Sequence, residues 1–388
     1  MLRRNFLNIT CTITGGALMV PEFLWAFGTQ NKIRFEEESL IFIQLNGGND
    51  GLNTYIPFND PLYQYNRPSI CISKDDVIGA NKNMAFHPSL KNFFDIQQDG
   101  NLSIIQNVGY SNPTRSHFKS QEIWQTAVNS NMGLNNGWLG RYLDAEFRDH
   151  NPIAGINISR VDHPVFKSEF SNSASVQNPK FYKKDEMIID KVKLSSNPQL
   201  DFVRKIATAT VESSKAIQKA ISNSKEEIIY PKTNFASKLS WIARLIKGNL
   251  NSKIYYTSLG GFDTHKNQLN EHSKKLTILN DGVYSFYKDL KEAKLLQNVT
   301  IVIFSEFGRR VKDNGNGTDH GKAAPMFIIG GNNNGSIIGN NPDLANLDDG
   351  DLKYNIDFRS VYATLLRQKL HFNPRKIGIK LPVIEGIF

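Results

Sequence analysis

Cysteine is nearly absent from this chain, and its absence removes two classes of protein. The 388 residues contain two cysteines, Cys11 and Cys71. Two are too few for a small disulfide scaffold or for a zinc site built from several thiolates. Any metal would therefore be held by oxygen and imidazole nitrogen. The 28 glycines and 15 prolines show no triplet period, which excludes a collagen-like fibre.

Long runs of one charge are also missing. The formal net charge is +9, from 46 Lys and Arg against 37 Asp and Glu, and no run of five basic residues occurs. We therefore expect no nucleic-acid partner, while a mildly positive field suits an anionic small molecule or polymer as substrate. A Walker loop, a Gly-x-Gly-x-x-Gly after a strand and a Gly-x-Ser-x-Gly elbow are absent too, which disfavours nucleotide-dependent and serine-esterase chemistry.

The N-terminal residues resemble a bacterial export signal. Arg3 and Arg4 precede a weakly apolar stretch, residues 9–27, that is interrupted by Pro21 and Glu22. This arrangement is typical of twin-arginine signals, although an amphipathic helical start is an alternative. A permanent membrane span is not expected, because the interrupted stretch is barely long enough to cross a bilayer.

We therefore expect residues 1–30 to engage the twin-arginine export machinery. That machinery exports proteins that have already folded. The mature protein would therefore be periplasmic or secreted. Residues 31–388 would then form a single α/β domain.

Five short apolar runs, each ending at glycine or at polar residues, predict buried strands. They are residues 39–45, 102–108, 254–258, 300–304 and 326–329. Apolar residues at helical spacing between these runs predict helices around residues 200–221, 235–246, 276–290 and 362–366. Strands that alternate with helices favour a mainly parallel sheet flanked by helices on both faces. Residues 150–235, which have the weakest strand signal, predict a helical insertion at one edge.

Acidic and histidine residues gather where these strands end. Asp50 follows the first strand, Asp263 and His265 follow the run at 254–258, and Glu306 follows the run at 300–304. Asp319 and His320 stand just before the last strand. Because ligands bind outside the carboxyl ends of parallel strands, we expect these six side chains to share one rim and to hold a divalent metal ion.

Each candidate ligand also has a structural alternative. Asp50 lies in a glycine-rich turn, Asp263 could cap a helix, and Arg309 or Arg310 could neutralise Glu306. His320 could be a neighbour of the metal that a carboxylate holds in place, rather than a ligand.

A hydroxyl-bearing segment, Arg115-Ser116-His117, follows the second strand and precedes a predicted helix. A hydroxyl at a helix N-terminus is well placed to attack a phosphorus or sulfur centre, because free backbone N–H groups there stabilise negative charge. Ser116 or Thr114 could equally be a helix cap, and His117 could act as acid or base or simply pack.

Five ordered motifs resemble those of an exported family called domain of unknown function 1501. They are residues 45–53, 115–118, 260–265, 304–309 and 317–321, and they span nearly the whole mature chain. That family is grouped with the alkaline phosphatase and sulfatase superfamily. The resemblance implies an alkaline phosphatase-like fold, with Asp50 as an early ligand and Ser116 in the nucleophile region. It also implies that Asp263, His265 and His320 bind one metal.

The sequence departs from that superfamily in two places. Glu306 and Phe307 stand where relatives usually carry Asp and His, so a second metal would lack a ligand. No Cys-x-Pro-x-Arg segment is present, so the formylglycine mechanism of sulfatases is unsupported.

The sequence therefore predicts an exported metal-dependent hydrolase of an anionic ester, with phosphate favoured over sulfate. Ser116 or a water would attack, Arg115 would offset developing charge, and His117 or His320 would handle the proton. Zn, Mn or Fe fits the mixed ligands better than Mg or Ca. The alternative is a non-catalytic binding or assembly protein of the cell envelope that retains the hydrolase fold.

Overall fold

All five apolar runs predicted to be strands are strands in the structure. A computed structural model describes residues 38–79, 81, 83–128, 136–147, 151–170, 172–179 and 198–388, with only the backbone described for 198–210. The predicted export signal lies outside these residues. The strands are β1 (Ser39–Asn46), β2 (Tyr55–Ile56), β3 (Ala85–Phe86), β4 (Leu102–Gly109), β5 (Gly155–Asn157), β6 (Ser173–Ser175), β7 (Ile254–Gly260), β8 (Val299–Ser305), β9 (Ala324–Gly330), β10 (Ile337–Ile338) and β11 (Ile356–Asp357).

The α-helices confirm the helical periods read from the sequence. In the described part of the chain they are α1 (Pro61–Asn66), α2 (Lys91–Gln98), α3 (His117–Thr126), α4 (Trp138–Glu146), α5 (Pro198–Asn223), α6 (Asn234–Lys247), α7 (Gln268–Glu292) and α8 (Phe358–Thr364). Two starts have a clear local cause: the side chain of Thr233 accepts a hydrogen bond from the Ala236 amide at α6, and Asp357 accepts one from the Arg359 amide at α8.

The main sheet has nine strands in the order β10-β4-β9-β8-β1-β7-β5-β6, and β11 also pairs with β4. Every neighbouring pair is parallel except those made by β9, which runs antiparallel to β4 and β8. The carboxyl ends of β1, β4, β7 and β8 therefore share one edge with the start of β9. The mainly parallel sheet is thus confirmed, and it brings the predicted polar residues to the same rim.

An aromatic layer covers one face of the sheet. The ring centroid of Phe42, in β1, lies 5.5 Å from Trp138 in α4 and 6.4 Å from Tyr362 in α8. Trp138 and Tyr362 stack with their centroids 4.2 Å apart. Aromatic pairs in such arrangements contribute about 0.5–1.5 kcal/mol beyond the area they bury. This layer therefore holds α4 and α8 against the strands.

Helices cover the opposite face as well. Met326 and Ile328 of β9 belong to the aromatic side, so Phe327 between them points the other way. Its ring meets Phe93 of α2 edge to face at 5.6 Å. Helix α7 packs against both α2 and α6. The prediction of helices on both faces is confirmed.

The region predicted as a helical insertion, about residues 150–235, contains more than helix. Helix α5 lies in it, but β5 and β6 also extend the sheet in parallel beyond β7. Each of these strands has three residues, and β6 reads Ser-Ala-Ser. Strands this short carry no apolar pattern that sequence inspection can detect. Among the described residues, no helix combines the length and the apolar character needed to cross a membrane.

We predict that Trp138→Ala lowers the free energy of unfolding by about 3–5 kcal/mol, because it opens a cavity in the aromatic layer. Trp138 is 1% exposed, whereas Phe118 is 82% exposed. Phe118→Ala is therefore the matched control, with an expected change of about 0.5 kcal/mol or less. Urea denaturation measures the free energy of unfolding of both variants. It is followed by far-UV circular dichroism, because that signal does not depend on tryptophan fluorescence. Equal losses in the two variants would contradict the assigned core.

Candidate functional site

The loops at the shared edge of the sheet approach one another closely. Gly47, directly after β1, has φ +121°, and a Cβ there would lie 2.4 Å from the backbone nitrogen of Asp263. Only glycine permits both this conformation and this approach. The loop after β1 can therefore pack directly against the loop that carries Asp263 and His265.

Three potential ligand atoms form a triangle at this edge. The Oδ1 atom of Asp263 lies 3.0 Å from Nε2 of His265 and 3.0 Å from Nε2 of His320. The two Nε2 atoms are themselves 3.0 Å apart. The structure thus brings together three of the six predicted ligands at the mutual distances expected of atoms that share a cation.

The hydrogen bonds on the far side of each ring show which atoms carry lone pairs. His265 Nδ1 faces Asp319 Oδ1 at 2.9 Å, and His320 Nδ1 faces the Arg115 carbonyl oxygen at 2.7 Å. Both partners are acceptors, so both Nδ1 atoms carry the proton, and in the neutral ring Nε2 is then a lone pair. Two lone pairs and a carboxylate oxygen converging within 3.0 Å repel one another unless a cation lies between them. These residues fit a metal ion.

The formal charges agree with a divalent cation. Asp263, Glu306 and Asp319 contribute three negative charges, and Arg309 contributes one positive charge, which leaves −2 when the histidines are neutral. A divalent ion would bring this group to neutrality.

The buried side chain of Arg309 forms an ion pair with Asp263 and lowers its pKa. The Nη2 atom of this buried guanidinium lies 2.5 Å from Asp263 Oδ1. Burial opposes ionisation of the carboxyl, but the hydrogen bond and the positive charge of Arg309 outweigh it and lower the pKa of Asp263 to about 2. Asp263 is therefore a carboxylate at any physiological pH. Its side chain is 46% exposed, so a ligand can reach it from solvent.

His117 forms a second imidazole–carboxylate pair beside the triangle. His117 Nδ1 is 2.9 Å from Glu306 Oε1, and this hydrogen bond raises the pKa of His117 above its usual range. Nε2 of His117 is buried, lies 3.4 Å from Asp263 Oδ2, and has no hydrogen-bond partner among the described residues. His117, Asp263 and His320 could also share a cation, because their nearest ligand atoms lie within 4.8 Å of one another.

Glu306, at the end of β8, is held by groups other than a metal. Its Oε1 also accepts from the Gly47 amide at 2.9 Å, and its Oε2 accepts from Ser305 Oγ at 3.1 Å. Burial acts to raise the pKa of Glu306, but the hydrogen bonds from His117 and the backbone leave it below the usual range. Glu306 and Asp319 therefore orient imidazoles in this structure. The structure places neither in the triangle itself.

Asp50 is not brought into this cluster. Its fully buried carboxylate accepts from Arg67 Nη1 at 2.6 Å and from Gln268 Nε2. Burial alone would raise the pKa of Asp50, but the Arg67 guanidinium holds it below the usual value. Nothing in the sequence pattern distinguishes Arg67 or Gln268 as partners, since they lie 17 and 218 residues away.

The remaining predicted residues lie at the edge of the cluster. The side chain of Ser116 caps α3, with Oγ 3.5 Å from the Lys119 amide. The guanidinium of Arg115 turns to Asp349 and Asp351, so only its carbonyl reaches the imidazoles. Arg309, considered from sequence as a partner of Glu306, binds Asp263 instead.

Phe307 forms a wall of the cluster. Its ring centroid lies 4.8 Å from that of His117 and 4.9 Å from that of His320, and the side chain is buried. An apolar ring therefore stands where the superfamily resemblance would place a histidine. The described residues supply one group of potential ligands here, consistent with a single ion.

Comparison with known proteins supports the family resemblance over part of the chain. Residues 204–377 match the family described as protein of unknown function (DUF1501). No curated protein sequence matches the chain.

Solved structures with a similar fold include members of the alkaline phosphatase superfamily. A protein of that superfamily from Vibrio parahaemolyticus is 9% identical, with 90% of this chain and 71% of that chain covered and a TM-score of 0.42. Phosphonate monoester hydrolase of Agrobacterium radiobacter is 9% identical, with 91% and 79% covered and a TM-score of 0.41. Murine ectonucleotide pyrophosphatase/phosphodiesterase 5 is 10% identical, with 90% and 97% covered and a TM-score of 0.40. These likenesses are too distant to assign a function.

We predict that His265→Gln weakens metal binding by at least about 100-fold, because it removes one apex of the triangle. Asp319→Asn, which only releases the His265 ring, should weaken binding by about 10–100-fold. Isothermal titration calorimetry with Zn²⁺ and Mn²⁺ measures both. Asp99→Asn is the control, since it breaks an exposed ion pair with Lys291 before β4, at the opposite edge of the sheet. Unchanged affinity in His265→Gln would contradict the proposed ligand set.

A second prediction concerns acid stability. Burial lowers the pKa of His272 to about 4, and its Nε2 lies 2.9 Å from Asn49 Oδ1 behind the cluster. Because the unfolded chain takes up this proton near the ordinary pKa of 6.5, stability should fall as the pH drops from about 6.5 to 4. The contribution of His272 is about 1.4 kcal/mol per pH unit within that window.

His272→Gln should therefore reduce the fall in unfolding free energy between pH 6 and pH 5, measured by urea denaturation with chelator present. His87, whose pKa burial lowers to about 3, contributes in the same direction and remains in both proteins. His117, whose pKa is raised, opposes the trend in both. Identical pH slopes for the two proteins would show that His272 is not buried in its neutral form.

Proposed function

We propose that this chain is a metal-dependent hydrolase of an anionic ester, with phosphate favoured over sulfate. The observation that supports it most is the triangle of Asp263 Oδ1 and the Nε2 atoms of His265 and His320, each ring held from behind by an acceptor. Outward-facing Nδ1 protons bound to carboxylates or carbonyls are the usual arrangement around metal-ligating histidines.

In this proposal Asp263, His265 and His320 hold the ion. Three protein ligands leave a position open for substrate, which is the pattern of catalytic rather than structural sites. Two imidazoles with one carboxylate favour Zn, Mn or Fe over Mg or Ca. When bound, such an ion polarises an ester oxygen and offsets the negative charge that develops during hydrolysis.

His117 is proposed to handle the proton. Its Nε2 has no hydrogen-bond partner among the described residues and lies 3.4 Å from Asp263 Oδ2, beside the triangle, and Glu306 fixes the ring through Nδ1. As the attacking hydroxyl forms its bond to phosphorus, Nε2 accepts the hydroxyl proton. As the bond to the leaving oxygen breaks, the proton passes to that oxygen. The hydrogen bond that Nδ1 donates to the Glu306 carboxylate stabilises the imidazolium between these two events. Where Ser116 attacks, a water then displaces the phosphoryl group from its oxygen, as Nε2 accepts the water proton and returns it to Ser116 Oγ.

Ser116 remains the proposed nucleophile. Its hydroxyl is exposed at the N-terminus of the ten-residue helix α3, immediately before His117. The free backbone N–H groups of this first turn favour negative charge on a phosphoryl group. Arg115 precedes it, with its guanidinium facing the neighbouring loop.

The proposed setting of this activity is the periplasm or the exterior of the cell. The paired arginines at residues 3 and 4 and the interrupted apolar stretch that follows support export by the twin-arginine pathway. An anionic small molecule or polymer of the cell envelope would then be the substrate.

The decisive experiment combines metal analysis with hydrolysis assays on aryl phosphates, phosphodiesters and aryl sulfates. We predict that His117→Gln keeps its metal but loses about 10²–10⁴-fold in kcat, because it lacks the proton acceptor. Asp263→Asn should lose both metal and activity. Asp99→Asn is again the control and should match the wild type in both.

Ser116→Ala separates the two possible nucleophiles in the same assay. A loss of kcat comparable with that of His117→Gln supports attack by Ser116, whereas full retention assigns the attack to water. A protein that binds metal tightly but hydrolyses none of these esters contradicts the hydrolase proposal. That result favours a non-catalytic binding or assembly protein of the cell envelope.

A further inference from the structure

A tight acidic turn, residues Asp348–Asp351, lies against the basic side chains at the edge of the site. Asp348 and Asp351 exchange two backbone hydrogen bonds, of 2.9 and 3.1 Å. Between them, Asp349 has φ +54° and Gly350 has φ +77°. Two successive left-handed residues close a turn of this type, and they project the side chain of Asp349 outward.

Each carboxylate of this acidic turn meets a cation. Arg115 Nη2 lies 2.8 Å from Asp349 Oδ2 and 2.5 Å from Asp351 Oδ2. Arg310 Nε lies 3.3 Å from Asp351 Oδ1, and Lys322 Nζ lies 2.7 Å from Asp348 Oδ2. One short turn of the chain thus supplies the counter-charges for three cations of the rim.

The two carboxylates on Arg115 differ in how firmly they are placed. Asp351 is fully buried, and it accepts from both Nε and Nη2 of Arg115, so it holds the guanidinium in a fixed orientation. The side chain of Asp349 is 72% exposed and contacts Nη2 alone. An exposed ion pair of this kind contributes little, because water screens it and competes for both partners. The side chain of Asp349 can therefore move away from Arg115 while Asp351 holds the guanidinium in place.

These cations adjoin the proposed metal ligands through the backbone. The carbonyl of Arg115 accepts from His320 Nδ1 at 2.7 Å, and the amide of Arg310 donates to the Asp319 carbonyl at 3.0 Å. The guanidinium of Arg115 itself turns away from the imidazoles, towards the acidic turn. A group that it binds would therefore sit beside the scissile ester, not on it.

We propose that Arg115, with Arg310 next to it, forms a subsite for a second anionic group of the substrate. In the free protein the carboxylate of Asp349 occupies this subsite as an internal counter-ion that the substrate displaces. A phosphate or sulfate group carries more acceptor oxygens than a carboxylate and pairs with a guanidinium through two hydrogen bonds. This inference rests on the proposed function, and it specifies a substrate with an anionic substituent next to the ester that is cleaved.

Binding of inorganic phosphate to the metal-free full-length protein tests the subsite without requiring turnover. By isothermal titration calorimetry, Asp349→Asn should bind phosphate about two- to fivefold more tightly than the wild type, because the competing charge is gone. Asparagine tolerates the left-handed backbone at this position, so the turn should persist. Adding Arg115→Gln to Asp349→Asn should abolish the gain.

Two controls separate displacement from a general change in charge. Asp99→Asn removes the same charge at the other edge of the sheet, and Asp348→Asn removes it from the same turn but from Lys322. Neither should match the gain of Asp349→Asn. Equal phosphate affinity in Asp349→Asn and wild type would overturn the inference, as would an equal gain in Asp99→Asn. Thermal unfolding midpoints identify any variant that has lost its fold.

Kinetics then distinguish failure of this inference from failure of the proposed function. If the chain hydrolyses aryl phosphates, Asp349→Asn should lower KM two- to fivefold for an ester with a neighbouring carboxylate or phosphate, and leave KM unchanged for the simple ester. The same KM shift for both esters would overturn the subsite while the hydrolase stands. If no ester is cleaved, the proposed function fails, and the phosphate titration still decides whether the subsite exists.

Discussion

The site depends on one buried guanidinium, that of Arg309. Its three nitrogens donate to the carbonyls of Gly47, Gly48, Phe262 and Thr318 and to the carboxylate of Asp263, at 2.5–3.0 Å. A buried charge is tolerated only when its donors are satisfied in this way. Arg309 therefore ties the loops after β1 and β7, and the segment before β9, to the end of β8. It adds to backbone hydrogen bonds that join the same loops, such as that from the Phe262 amide to the Asn46 carbonyl at 3.1 Å.

The same constraint explains the chemistry available at the rim. Arg309 keeps Asp263 ionised, and each imidazole next to it is oriented by an acceptor of its own. Glu306 serves His117, Asp319 serves His265, and the Arg115 carbonyl serves His320. Two carboxylates, Glu306 and Asp319, thus serve to orient imidazole rings so that their Nε2 atoms point towards Asp263. The result is a half-exposed group of lone pairs with surplus negative charge, which is an environment suited to a cation.

The carboxylate behind this group is balanced differently. Asp50 is fully buried, and its charge is met by the guanidinium of Arg67. The superfamily resemblance implied that Asp50 binds a metal, and the structure places a protein cation against it instead. Together with Phe307, whose ring packs against both His117 and His320, this arrangement concentrates potential metal chemistry in one place.

The sequence by itself determined the five longer strands, the helices with a clear apolar period and the rim. Apolar runs can only be buried, and polar residues that follow parallel strands must emerge at one edge, so the convergence of Asp263, His265 and His320 was predictable. Only the tertiary structure decided that Asp263 joins the two imidazole nitrogens, while Glu306 and Asp319 each face the back of an imidazole and Asp50 faces an arginine. That choice depends on hydrogen-bond direction between residues far apart in the chain, such as His320 and Arg115, which are 205 positions apart. Local spacing carries no information about such pairs.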